Sequence, residues 1–250
     1  EKDGALDMSV CSDTGSRIRC PNSYETGSVS FGTLIHAVPD HLDIKVDFSS
    51  ANRFPNIDEL YLSGTAPTFP VYATGMPSLG IESSWGGSLT VGLRYLELDG
   101  EVSAHISHID NYIYFSPELT STGDPAYEVT IKGTWPRFNF KAIDANMLGI
   151  DGTLSIGRHT PVGIILSGAA VRGTNAADGS HLVGVPPDQI DVTLIGRLPS
   201  MGDLDALNVG FRVGHTWEQS RVAANADFAP APPAFTLFDA TLEATVQTRH

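Results

Sequence analysis

The sequence predicts an all-β chain, an antiparallel portion of a transmembrane β-barrel with about nine strands, short periplasmic turns and long extracellular loops. Three observations predict it. Apolar and polar residues alternate at a period of two along most of the chain, the period of a strand with one apolar face. Connections between these segments switch in order from short to long. No segment carries the 3.6-residue period of an amphipathic helix.

Taken in order, Val29 to His36 and Ile44 to Phe48 are the first two strands, joined by the short Val38-Pro39-Asp40-His41. A long connection from Asn52 to Ser83 leads to Leu89, Val91, Leu93 and Tyr95, which alternate with Thr90, Gly92 and Arg94. Asp99-Gly100 is a two-residue hairpin signal, and Val102, Ala104 and Ile106 follow against Ser103, His105 and Ser107. Ser116 to Thr134 is long again. Leu148, Ile150, Leu154 and Ile156 form the next strand, then a short Arg158-His159-Thr160, then Ile164, Leu166, Gly168 and Ala170. Gly173 to Pro187 is long. Ile190, Val192 and Leu194 alternate with Asp191 and Thr193, Pro199 to Asp203 is short, and Leu207, Val209, Phe211 and Val213 follow. The long Gln219 to Pro233 precedes a last strand opening at Phe235 and Leu237. A soluble sandwich has no reason to segregate its loops by length, whereas an outer-membrane barrel does so as a rule. Trp85, Tyr112, Tyr114, Phe115, Trp135, Phe138, Phe140 and Trp217 stand near strand ends, where interfacial aromatic girdles form, although ordinary packing also explains them.

Composition narrows the function. Charged residues are 18% of 250, and 29 acids against 15 bases give a net charge of -14, which repels the phosphates a nucleic-acid binder must attract. No apolar run is long enough for a membrane helix, and a mean hydropathy of -0.03 is uninformative for barrel strands. The start, Glu1-Lys2-Asp3-Gly4, has no signal-peptide core and reads as an interior cut. Cys11 and Cys20, separated by a polar loop poor in other metal ligands, read as a disulfide in an oxidising compartment, two unpaired thiols being the alternative.

At this point several segments resemble the C-terminal part of the β-barrel of TonB-dependent outer-membrane receptors. Asn52-Arg53-Phe54-Pro55-Asn56-Ile57-Asp58-Glu59-Leu60-Tyr61 resembles the family's loop with an Arg, Pro and Glu-Leu-aromatic. Gly75-Met76-Pro77-Ser78-Leu79 with Glu82-Ser83, and Ile109-Asp110-Asn111-Tyr112-Ile113, are similar to the stretches that follow. Arg172-Gly173-Thr174-Asn175, Asp178-Gly179, Leu182 and Pro186-Pro187 resemble a later loop, and Phe235 to Ala240 the next strand. The order and spacing agree over residues 28–245. Two departures stand out: Asp151 where Glu is usual, and Ser63-Gly64-Thr65-Ala66 where a His pair occurs in metal- and haem-related members. The resemblance implies a barrel of about 22 strands around a plug, of which this chain would supply one segment, 1–250, without a plug and without a terminal aromatic after His250. It places residues 1–27 in an extracellular loop, the chain in the bacterial outer membrane, and its partners as outer-membrane lipid, the remaining barrel and plug polypeptide, and the TonB system through the plug. An open sheet cannot stand alone in lipid, because every backbone N–H and C=O there must be paired.

No catalytic arrangement emerges, and the expectation is that the chain is not an enzyme. Gly152-Thr153-Leu154-Ser155-Ile156-Gly157 has the wrong spacing for a nucleophile elbow. His105 and His108 point to opposite faces of a strand, so they cannot share a metal, and a lumen-facing His105 hydrogen-bonded to neighbours is expected. Asp144 with Asp151, and Asp188 with Asp191, read as solvated rim charges. No phosphate loop, zinc motif or calcium loop occurs, so no cofactor or metal is implied. Binding groups concentrate on loops held by a rigid scaffold, which makes the exposed Glu59, Tyr61, Tyr72, Arg172 and His181 the substrate-binding candidates. The leading expectation is uptake of a siderophore or other scarce metal complex or nutrient. A structural subunit completing a split barrel, and a soluble secreted β-sandwich that binds a partner, are the alternatives.

Overall fold

The computed structural model describes residues 12–13, 18–19, 24–65, 70–199, 204–222 and 231–246. A small ribbon pairs β1 (Ser12–Asp13) with β2 (Ile18–Arg19). The wall begins with β3 (Val29–Val38) and β4 (Leu42–Arg53), followed by a one-turn helix α1 (Ile57–Tyr61) and two short strands, β5 (Ser63–Thr65) and β6 (Tyr72–Thr74). It continues through β7 (Glu82–Tyr95), β8 (Leu98–Pro117), the short β9 (Tyr127–Thr130), β10 (Gly133–Ile156) and β11 (Val162–Asn175). The last three strands are β12 (Gln189–Leu198), β13 (Leu204–Thr216) and β14 (Phe235–Val246).

Nine of these strands form the antiparallel path of one 12-stranded sheet, in the order β14-β13-β12-β11-β10-β8-β7-β4-β3; β5, β6 and β9 attach beside β10, with β6 parallel to it, and the sheet is not closed. Directly opposed residues share a face, so register sorts the wall into two surfaces. Ile35, Ile44, Val91, Val102, Gly152, Gly168 and Ile190 lie in one continuous row, and Leu42, Leu93, Gly100, Leu154, Leu166, Val192, Val213 and Phe238 in another. The opposite face carries Asp43, Lys45, Asp47, Thr90, Ser103, Asp151, Asp191, Arg212 and Asp239.

Burial separates this wall from a sandwich. Ile106 is 63% exposed and Leu242 73%, and among the described residues no large apolar side chain is fully buried. A soluble sandwich would seal these residues against a second sheet; here there is one sheet, and that expectation fails. The polar face pairs its own charges instead. Arg94 and His36 both reach Asp43, Lys45 meets Asp47 at 3.0 Å, and Arg212 joins Asp191 at 2.7 Å and Asp239 at 3.5 Å across three strands.

Four local expectations are corrected. The hairpin turn after β7 is Leu96-Glu97, not Asp99-Gly100: Tyr95 opposes Leu98, and Leu96 adopts a left-handed φ of 52°. Asp99 is drawn into the strand by Arg158 at 2.6 Å, and Gly100 admits Leu154, whose Cδ1 would lie 2.9 Å from a Cβ there. Helix α1 is present although the periodicity gives no sign of it. His105 does stand on the polar face and His108 on the other, as their spacing requires, but the His105 ring lies over Gly149 and makes no hydrogen bond among the described residues. Asp188 and Asp191 are not simply solvated, since both hold arginines. Cys11, Cys20 and most of the turn 199–203 lie outside the described residues.

Candidate functional site at the long-loop rim

The long connections all leave one rim; the one that holds β9 pairs back onto β10, and two others build the layer at the site. In the first, Asn56 caps α1: its Oδ1 accepts from the Glu59 N–H at 2.8 Å, and the Glu59 carboxylate accepts from the Asn56 N–H at 2.9 Å. This reciprocal box satisfies two donors that a helix start leaves open. The Arg53 guanidinium donates to both Glu59 oxygens at 3.0 Å and to Glu82 at 2.9 Å, while Glu82 also accepts from the Ile113 N–H at 2.8 Å. One arginine thus ties the end of β4 to α1, β7 and β8. Beneath it Leu60, Leu79 and Ile113 form an apolar cluster with Tyr61, Phe140 and Ala142 around it. Gly75 closes the layer, because a Cβ there would meet the Leu60 and Tyr61 backbone at 2.6 Å. Phe115 packs at 4.9 Å on both Phe138 and Phe140, so these rings pack together beneath the loop layer. Trp85 and Trp217 remain exposed, each against a histidine.

Where β8 meets β10 the register slips. Ala145 opposes Ile109 but Ile143 opposes Tyr112, so Asp110 and Asn111 together face Asp144. Asn111 takes φ 55°, and its N–H donates to the Asp144 carboxylate at 3.1 Å. This β-bulge bends the wall as the strands enter the loop layer.

The second structured loop follows β11. Leu182 is 4% exposed, its N–H donates to the Gly173 carbonyl at 3.0 Å, and Thr174 bridges His181. Gly173 makes room for this return: a Cβ would lie 2.8 Å from Val185 and 3.0 Å from Met147 Sδ. Met147 and Gly173 oppose each other on the polar face, so the loop folds back over that face. Its far end is clamped by Asp188. Arg172 grips Asp188 at 2.6 and 2.9 Å, Arg221 reaches it at 3.0 Å, and the buried Gln219 amide donates to the Val185 carbonyl at 2.6 Å. Hydrogen bonds from Arg172 hold the Asp188 carboxyl below its ordinary range, with partial desolvation opposing them. Asp178 is held low by the Ser180 hydroxyl and N–H.

Between this loop and the wall lies a cleft of about 300 Å³, bordered by Tyr114, Lys141 and Ile143 on one side and Asn175, Ser180 and His181 on the other. Of the sequence candidates, His181 alone borders it. Glu59 is 8% exposed and fully engaged, contrary to the expected exposure. Tyr61 packs against the apolar cluster, Tyr72 sits in β6 opposite Arg137, and Arg172 is committed to Asp188. Lys141 and Tyr114 are strand residues; no local signal marks them, since it takes the register of β8 on β10 to set them side by side. No group of three or more His, Cys, Asp or Glu is placed to hold a metal among the described residues.

Comparison with known proteins agrees with this architecture. The family of TonB dependent receptor-like β-barrels matches residues 13–248. The chain belongs to the TonB-dependent receptor family, whose members are outer-membrane barrels, transporters and receptors by role. Among solved structures, the copper transporter OprC superposes with a TM-score of 0.66 at 18% identity, over 89% of this chain and 31% of that one. The siderophore receptor PirA from Acinetobacter baumannii gives 0.58 at 13% identity, over 86% and 34%. The FrpB iron transporter from Neisseria meningitidis gives 0.57 at 13% identity, over 88% and 32%. The chain therefore spans about a third of the length of these structures. No protein of curated function matches it by sequence. In a barrel of this kind the apolar face is outward and the polar face lines the interior, which makes the β11–β12 loop an inward-folded one.

Proposed function

We propose that this chain forms part of the wall and vestibule of an outer-membrane receptor that takes up a siderophore, another scarce metal complex or a comparable nutrient. The carrying observation is the cleft at the extracellular rim, built between the polar face and a loop folded back over it, on a barrel wall of this family. The outward rows of Ile, Leu and Val contact lipid. The open edges of β3 and β14 pair with the remaining barrel, and a plug in the interior receives the pull of the TonB system. Residues 1–27 belong to an extracellular loop. The solved neighbours named for copper, siderophore and iron favour a metal complex.

The test is growth. A strain lacking the gene should lose growth on one metal complex as sole source under limitation, and regain it with the intact gene only when TonB is present. Undiminished growth of the deletion strain on every metal complex offered, with TonB-independent behaviour throughout, would overturn the reading.

A further inference from the structure

Basic side chains on this wall are almost all spoken for. Lys45, Arg53, Arg94, Arg137, Arg158, Arg172, Arg212 and Arg221 each hold a carboxylate, and Arg197 donates to the carbonyls of Gly157 and Thr160. Among the described residues Lys132 and Lys141 hold none. Lys132 stands exposed at the tip of the β9–β10 hairpin, but Lys141 is half-buried in the wall of the cleft. In a chain with 29 acids against 15 bases, a half-buried ammonium with no carboxylate among the described residues stands out, because buried charge is ordinarily paired.

The surroundings match. Glu118 lines the same cleft, but its carboxylate is occupied by Arg137 at 3.1 Å. Asp178, on the loop above, accepts from the Ser180 hydroxyl and N–H. Tyr114 opposes Lys141 directly and is held in place by stacking on Tyr112 at 6.2 Å, with its hydroxyl unengaged among the described residues. His181 borders the cleft from the loop, its backbone fixed by the bridge to Thr174 and its ring equally unengaged. One formal positive charge and two neutral-capable donors therefore converge from two walls, with no free carboxylate between them.

We infer that Lys141, Tyr114 and His181 make this cleft select anionic, oxygen-rich ligands, with Lys141 supplying the charge-assisted contact and the other two orienting it. The inference rests on the uptake reading and names the class of substrate for it. A volume of about 300 Å³ is at the lower end of ligand pockets, so it takes the charged portion of a chelate and leaves the rest to the vestibule.

The experiment uses the full-length receptor from its own gene, purified in detergent, titrated by tryptophan fluorescence with two probes: a ferric tricatecholate, which is an anion, and a ferric trihydroxamate, which is uncharged. The wild type should prefer the tricatecholate. Lys141→Gln should weaken that probe about tenfold or more, the scale of one charge-assisted hydrogen bond, and leave trihydroxamate binding unchanged. Lys141→Arg should retain most of the preference, and Tyr114→Phe and His181→Gln should each cost a few-fold. Heat-modifiable migration of each variant on gels reports that the barrel is folded. Equal binding of the tricatecholate by wild type and Lys141→Gln overturns the inference, as does a wild type that prefers the uncharged probe or binds neither. The growth test decides the uptake reading separately, since a receptor for an uncharged metal complex would pass it and fail here.

Discussion

The wall and the loop layer are held together by opposite means. Along the wall the same solution repeats: a backbone ladder, apolar rows on one face and paired charges on the other, so most positions are interchangeable with their neighbours. In the loop layer single residues have no substitute. Arg53 joins four elements, Asp188 holds two arginines, and Gly75 and Gly173 admit contacts that any side chain would block. Robustness in a barrel of this kind comes from repetition, and a binding surface comes from unique contacts, which are correspondingly fragile.

The contrast is broken most severely by a charge on the outward face. Ile150, opposite Ala104 and Ala170 and flanked by Asp151 on the other face, should cost about 2–4 kcal/mol as Ile150→Arg if it sits near the bilayer midplane. Asp151→Asn, one residue away, should change stability by less than about 0.5 kcal/mol. Urea-dependent folding into lipid vesicles measures both; equal effects would show that the two faces do not meet different solvents.

Gly75→Ala tests the loop layer. Its Cβ would strike the Leu60 and Tyr61 backbone, so a local loss of about 1–3 kcal/mol is expected. Hydrogen exchange should accelerate over 57–79 and leave β10 and β11 unchanged, whereas a uniform acceleration would mean that layer and wall unfold together.

A pH series sharpens the comparison further. Asp188 has a folded pKa below its ordinary value, so its contribution is fully present above the ordinary carboxylate pKa of about 4 and is lost as pH falls through the lower folded value. Protease cleavage within 176–187 should rise in that acidic window while the wall persists. In Asp188→Asn the loop should already be cleaved at neutral pH, with that acid transition gone; a transition retained in the variant would assign it to another group.

The smallest effect belongs to the periplasmic rim. Leu96 holds φ 52° in its turn, so Leu96→Gly should relieve strain and stabilise the barrel by up to about 1 kcal/mol. An unchanged or lowered urea midpoint would place the cost of the turn elsewhere.

The nine wall strands, the alternation of short and long connections, and the sorting of residues into two faces follow from the chain alone, because each depends on a period of two and on local turn chemistry; the short strands β1, β2, β5, β6 and β9 do not. Asp99-Gly100 shows the boundary of that reasoning: a good turn dipeptide became strand because Leu154 in the neighbouring strand and Arg158 in the turn after it claimed it. Glu59 shows it again: its place in a loop predicts exposure, but the reciprocal bonds with Asn56 and the grip of Arg53 bury it. The cleft belongs wholly to tertiary structure. Lys141 and His181 are forty residues apart, and what brings them together is the β8–β10 register, the bulge at Asp144 and a loop that turns inward because Gly173 has no side chain to stop it. Periodicity is a property of neighbours along a chain; a site is made by residues that only pairing between strands makes neighbours.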